Sequence, residues 1–161
     1  ADKKIVTGVA ASTNDAKLTL TGIKDKPGVA ADILGELADN GINVDMIVQN
    51  ISGDRKTTDL TFTVPKDEFT KAKSLMENLS SNLSYKDLIV DSNIAKISIV
   101  GVGMRSNAGV ASQMFRILSQ NNINIDVIST SEIKISVLIN KELTEKALNT
   151  LHDHFELGKA T

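Results

Sequence analysis

Apolar and polar residues alternate in short runs along this chain, break at glycine, and then switch to helical spacing. In KLTLTGI (17–23) every second position is apolar up to the glycine, the pattern of a half-buried strand. After a Gly/Pro loop, Val29, Ile33, Leu34, Leu37 and Ala38 recur at the spacing of one helix face. Asn40-Gly41 then supplies a stop in which glycine takes the left-handed conformation. INVDMIVQN (42–50) reads as a second strand, with Val44, Met46 and Val48 on one face and Asn43, Asp45 and Gln49 on the other. SGDRK (52–56) is a turn, and TTDLTFTV (57–64) is a third strand whose apolar face is Leu60, Phe62 and Val64. Phe69, Ala72, Leu75, Met76 and Leu79 mark a second helix, and YKDLIV (85–90) is a short fourth strand. The order is βαββαβ, the ferredoxin-like split arrangement.

The same order then recurs. GVAADILGELADNGINVDMI (28–47) aligns without a gap on GVASQMFRILSQNNINIDVI (109–128) at an offset of 81, with nine of twenty positions identical. KLTLTGI matches KISIVGV (96–102) at an offset of 79, so the loop before the glycine is two residues longer in the second copy. That copy predicts strand 96–102, helix 109–121, strands 123–129 and 132–139, and a helix through Leu143, Ala147, Leu148, Leu151 and Phe155. Two units are too few for a solenoid, which needs about three. The expectation is an α+β chain of two like domains, residues 16–92 and residues 1–15 with 93–161, each an antiparallel sheet with helices on one face. FELGKAT (155–161) holds no final strand, whereas IVTGVA (5–10) has no place in the first copy. The spare N-terminal strand is therefore expected to complete the second domain, because an unpaired sheet edge is a liability.

Composition narrows the function. No cysteine is present, which excludes a disulfide framework and a thiolate metal site. Eighteen basic residues against 20 acidic give a formal charge of −2, and aromatics are 3% of the chain. Neither counterion release nor base stacking is then available to draw a nucleic acid. No apolar run approaches a signal peptide or a membrane span, so a cytoplasmic chain is expected, away from the membrane.

The strongest candidate loop is Asp25-Lys26-Pro27-Gly28, between the first strand and the first helix. A helix N-terminus offers unpaired N–H groups to a carboxylate, glycine allows close approach, and Asp25 could pair with an ammonium; together these suit an amino-acid zwitterion. The same residues are also plain turn chemistry. GVGMRSNAG (101–109) follows a strand and opens a helix, but it has Ser106 where a dinucleotide loop needs glycine, and Val110 and Ala111 where a P-loop needs Lys and Ser/Thr. Asn43 and Asp45 recur as Asn124 and Asp126; they are polar positions of an open sheet face or residues that meet the glycine loop of a neighbouring copy. His152 and His154 fall on different faces of one helix, so no metal site is expected, and no serine has a histidine base. No catalytic residues are assigned.

The segments VTGVA, AKLTLTGIKDKPGVAADILGELADNGINVDMIVQNIS, TTDLTFTV, KISIVGVGMRSNAGVASQMF and INIDVISTSEIKISVLI together resemble the regulatory region of aspartate kinase, a tandem pair of ACT domains. VDMIVQN and STSEIKISVLI carry the likeness to that family rather than to ACT domains at large. The resemblance implies feedback inhibition by lysine and threonine, and no catalytic activity or cofactor in this chain. ATP and Mg belong to the kinase domain or α subunit, whose KFGGTS-type motif is absent here. It also implies a homodimer in which the first ACT domain of one chain lies beside the second of the other. One effector site would then use Asp25, Gly28, Ala30 and Gln49 with Asn124, Ile125 and the adjoining Asp126. The other would use Ala111 and its loop with Asn43, Val44 and Asp45 opposite, and Ser131-Glu132 nearby. The resemblance points threonine to the site holding Asp25 and, in some relatives, lysine to the other. A generic amino-acid-sensing ACT module of another metabolic enzyme is the alternative.

Overall fold

A computed structural model describes residues 6–24, 27–79, 85–102 and 108–155. Along the chain run β1 (Val6–Ser12), β2 (Asp15–Lys24), α1 (Val29–Asp39), β3 (Ile47–Ile51), β4 (Thr57–Pro65), α2 (Phe69–Asn78) and β5 (Asp87–Asp91). There follow β6 (Ile94–Gly101), α3 (Ala108–Gln120), β7 (Val127–Thr130), β8 (Lys134–Asn140) and α4 (Thr144–His154). They form two compact units, residues 14–92 and residues 1–13 with 93–161.

In residues 14–92 an antiparallel sheet runs in the order β3-β4-β2-β5. Pairing Leu18 with Phe62 and Leu20 with Leu60 puts the apolar residues of both central strands on one face. Val29, Ile33 and Leu37 of α1 and Ala72 and Met76 of α2 close over that face, and all join one buried cluster. Each large side chain buried there contributes roughly 1.5–3 kcal/mol. The opposite face carries Thr19 and Thr61, whose hydroxyls bond each other at 2.9 Å. The second sheet repeats this with Ile97, Ile99, Ile135, Val137 and Ile139 under α3 and α4. Its hydroxyl pair is Ser98 and Ser136, 2.7 Å apart and buried.

Both first helices end alike. Ile42 N–H reaches back to Leu37 O (2.9 Å) and Gly41 N–H to Ala38 O (3.0 Å), with Gly41 at φ 72. These are the two bonds of a Schellman stop. In the second copy Ile123 and Asn122 make the same bonds to Leu118 and Ser119, with Asn122 at φ 59. The Nδ2 groups of Asn40 and Asn121 cap Glu36 O and Ile117 O, each at 2.8 Å.

The second sheet has the order β1-β6-β8-β7. The N-terminal strand therefore does complete the second domain: Val9 opposes Ile99 and Ala11 opposes Ile97. It takes beside β6 the edge that β5 takes beside β2.

One expectation fails in both copies. Residues 42–50 do not alternate as a single strand. Asp45 N–H donates to Thr63 O and Thr63 N–H to Met46 O, both at 3.0 Å, so two residues stand against one. That is a bulge, and it changes the parity of the strand. Val44 packs against the helix-side core, yet beyond the bulge Ile47 and Gln49 oppose Phe62 and Leu60 on that same side. Gln49 is thus on the helix side, not on a common face with Asn43 and Asp45. In the second copy Ile125 packs on the core, Asp126 N–H donates to Leu138 O at 2.8 Å, and Ile128 and Thr130 oppose Val137 and Ile135.

Candidate functional site

The helix side of the first sheet is not fully covered. Ile47 and Ile51, on the edge strand β3, are 46% and 43% exposed. Between the start of α1 and this uncovered strand lies a cleft of about 540 Å3. Its walls are Ile23 and Lys24 from β2, Pro27 and Gly28 from the loop, Val29, Ala30, Ala31 and Ile33 from α1, Gln49 and Ile51 from β3, and Thr58 and Leu60 from β4.

The chemistry at its mouth comes from the backbone. Gly28, at φ 91, is the N-cap of α1 and has no side chain to offer as a cap. The first helical bond is Asp32 N–H to Gly28 O at 2.9 Å. The N–H groups of Val29, Ala30 and Ala31 therefore precede the helix ladder and have no acceptor within it. Such a turn, with the positive end of the helix dipole behind it, favours an anion. A Cβ at Gly28 would meet nothing within 4 Å, so the glycine leaves open space as well as allowing the turn.

Among the described lining residues Lys24 is the one charged side chain, and Gln49 adds an amide. The Thr58 hydroxyl donates to Asn50 O at 3.2 Å, which leaves its lone pairs as acceptors. The remaining walls are aliphatic. The β3–β4 turn that presents Ile51 and Thr58 is held by Asp54, which accepts from the Ser52 hydroxyl (2.7 Å) and Lys56 N–H (3.0 Å). The Ser52 bond, and secondarily that from Lys56, holds the Asp54 carboxyl below its usual value.

Of the residues singled out in the sequence, Gly28, Ala30 and Gln49 meet in this cleft, while Asp25 lies outside the described residues. Asn43 and Asp45 are exposed, and Asn43 N–H donates to Glu68 Oε2 at 3.0 Å. Val44 and Ile125 are partly buried against the two cores, and Ala111 packs on the second. Asn124, Asp126 and Glu132 are exposed. Sequence reasoning missed Ile23, Lys24, Ile51 and Thr58. Only the strand register brings the last two together, since Ile51 opposes Thr58 across the ladder.

Among the described residues no group of three or more His, Cys, Asp or Glu is placed to hold a metal ion. His154 instead lies 3.1 Å from Gln113 Oε1 and meets Phe155 edge-on. No described helix is long and apolar enough to cross a membrane.

The ACT-domain family matches twice, at residues 18–81 and 97–155. The aspartate kinase of Pseudomonas putida is 50% identical over 156 residues, which are 97% of this chain and 38% of that protein. The chain thus spans about two-fifths of the length of that curated relative. Among solved structures, one chain of the crystal structure of aspartokinase alpha and beta subunits matches with 45% identity and a TM-score of 0.87, over 94% of this chain and 99% of that one. The regulatory subunit of aspartate kinase from Thermus flavus matches with 41% identity and a TM-score of 0.88, over 94% and 99%.

Proposed function

The chain belongs to the aspartate kinase family, as its regulatory region of two ACT domains, and from that premise we propose that it binds threonine or lysine as a feedback effector of aspartate phosphorylation. The observation that carries this reading is the cleft where Gly28, Ala30 and Gln49 converge at the α1 N-terminus. An amino acid's carboxylate suits the N–H groups of Val29, Ala30 and Ala31 and the nearby Lys24. Threonine is the better occupant here: its short side chain suits aliphatic walls with one amide and one hydroxyl, whereas a lysine ammonium would share the space with the Lys24 cation.

Asp25 would hold the effector's ammonium. Two chains would pair, and the segment Asn124, Ile125 and Asp126 leading into β7 of a second chain would close the cleft. By the same repeat, Ala111 with Asn43, Val44, Asp45 and Glu132 would serve the second effector site. The kinase part, with its ATP and Mg, would be supplied by the catalytic domain or subunit. Inhibition needs only that effector prefer one arrangement of the paired domains, and typical couplings are about 1–3 kcal/mol. The likeness along nearly the whole chain favours aspartate kinase over another enzyme's ACT module.

The test is a thermal-shift panel of amino acids, with sedimentation in parallel. A ligand at about 100 times its dissociation constant adds roughly 2.7 kcal/mol to stability. Threonine or lysine should raise the melting temperature of a dimeric chain. No shift with either at millimolar concentration, or a strict monomer at tens of micromolar with ligand present, would contradict the proposal.

A further inference from the structure

The first copy's central strand leaves its ladder once. Leu20 opposes Leu60 and Ile23 opposes Thr58, so Thr21 and Gly22 both stand against Asp59. This is a bulge. Gly22 takes φ 67, and its N–H donates to Asp59 Oδ1 at 3.0 Å. A Cβ on Gly22 would lie 2.8 Å from Lys86 Cβ, while Lys86 N–H donates to Thr21 O at 2.7 Å.

The extra residue decides which side of the sheet the strand end faces. Leu18, Leu20 and Ile23 all join the helix-side core, although strict alternation would turn residue 23 to the other face. The second copy shows that alternative. There β6 continues in register, with Val100 opposite Lys134 and Gly101 N–H bonded to Ile133 O at 2.8 Å. Ile97, Ile99 and Gly101 are buried, and Val102 follows on the outward side. At the repeat offset of 79, Val102 corresponds to Ile23, yet it is 67% exposed where Ile23 is 1%. Lys134 stands where the first copy has Asp59, so that position offers no carboxylate to the strand.

We infer that Asp59 is a positioning residue for the effector cleft. By accepting from Gly22 it holds the bulge that turns Ile23 into the cleft wall and places Lys24 at the rim. The two copies thus differ at corresponding places: Ile23 is buried and lines the cleft beside the start of α1, whereas Val102 is exposed. The inference rests on the cleft being the amino-acid site proposed above.

The experiment compares the wild-type chain with Asp59→Ala, Asp59→Asn and Asp59→Lys, the last bringing in the second copy's residue. Calorimetry with L-threonine and L-lysine reads the cleft, and amide exchange at Gly22 reads the bulge without any ligand. Asp59→Ala and Asp59→Lys should weaken binding by about tenfold or more and speed Gly22 exchange. Asp59→Asn keeps an acceptor oxygen and should restore both. Wild-type affinity in a folded Asp59→Ala or Asp59→Lys chain, or an Asn variant no better than these, would overturn the inference. If the wild-type chain bound neither amino acid, the proposed function would fail, yet exchange would still decide whether Asp59 holds the bulge. Equal Gly22 protection in all four chains would refute that too.

Discussion

Ala30→Val separates the cleft from the fold. Ala30 is the second residue of α1, partly buried, and one of the first-turn positions whose N–H has no helical acceptor. Valine adds two methyl groups to the cleft wall. Because Ala30 borders the cleft, the expected cost in the free protein is mostly helix propensity, at most about 0.7 kcal/mol. With an amino acid held against the helix N-terminus, the same groups crowd it. Overpacking of that kind costs about 1–3 kcal/mol, which is a loss of roughly 5- to 150-fold in affinity. Calorimetric titration with L-threonine and L-lysine measures the loss, and a denaturant melt measures the stability. Ala38→Val is the control, since Ala38 lies on the same helix, exposed and away from the cleft. With the kinase part supplied, Ala30→Val should raise the effector concentration for half-inhibition by a similar factor. If a folded Ala30→Val chain binds both amino acids as the wild type does, this helix start is not an effector site.

Gln49→Ala should weaken effector binding by about 1–3 kcal/mol, the cost of losing one polar contact. Because Gln49 is exposed in the free chain, its stability should stay within about 0.5 kcal/mol. Ser98→Ala leaves the buried Ser136 hydroxyl without that partner and should destabilise by about 1–3 kcal/mol. Adding Ser136→Ala should cost less than the sum of the single changes, which a double-mutant cycle by urea melt would reveal. The Asp54 carboxyl is held below its usual value, so its support of the β3–β4 turn is complete above the ordinary carboxylate value. That support is lost as pH falls through the lowered value, and protection of the Lys56 amide, its exchange relative to the intrinsic rate at each pH, should fall there; unchanged protection through that range would refute it.

Most of the architecture can be read from periodicity. KLTLTGI and TTDLTFTV alternate at period two, and Val29, Ile33 and Leu37 repeat at a helical spacing, so each element announces its own buried face. The crossover of β1 was legible as a surplus at one end of the chain and a deficit at the other. Bulges were not, because one extra residue reverses parity without altering composition. That is why Gln49 was assigned the wrong face, and why Ile23 and Lys24 went unnoticed as cleft residues. A signal was present for the second of these: Leu18, Leu20 and Ile23 already break the alternation at Gly22, and an isolated glycine within a strand run marks such a break. Thr58 and Ile51 had no comparable signal, since their meeting depends on the register of β3 against β4.

The central claim is that an amino acid's carboxylate sits on the first turn of α1. A titration of the isotopically labelled chain with L-threonine, followed residue by residue through its amide resonances, tests this directly. The account predicts saturable shifts largest at Val29, Ala30 and Ala31, with Gln49 and Ile51 following at the same midpoint. Binding that leaves those amides unmoved and shifts residues elsewhere would contradict it.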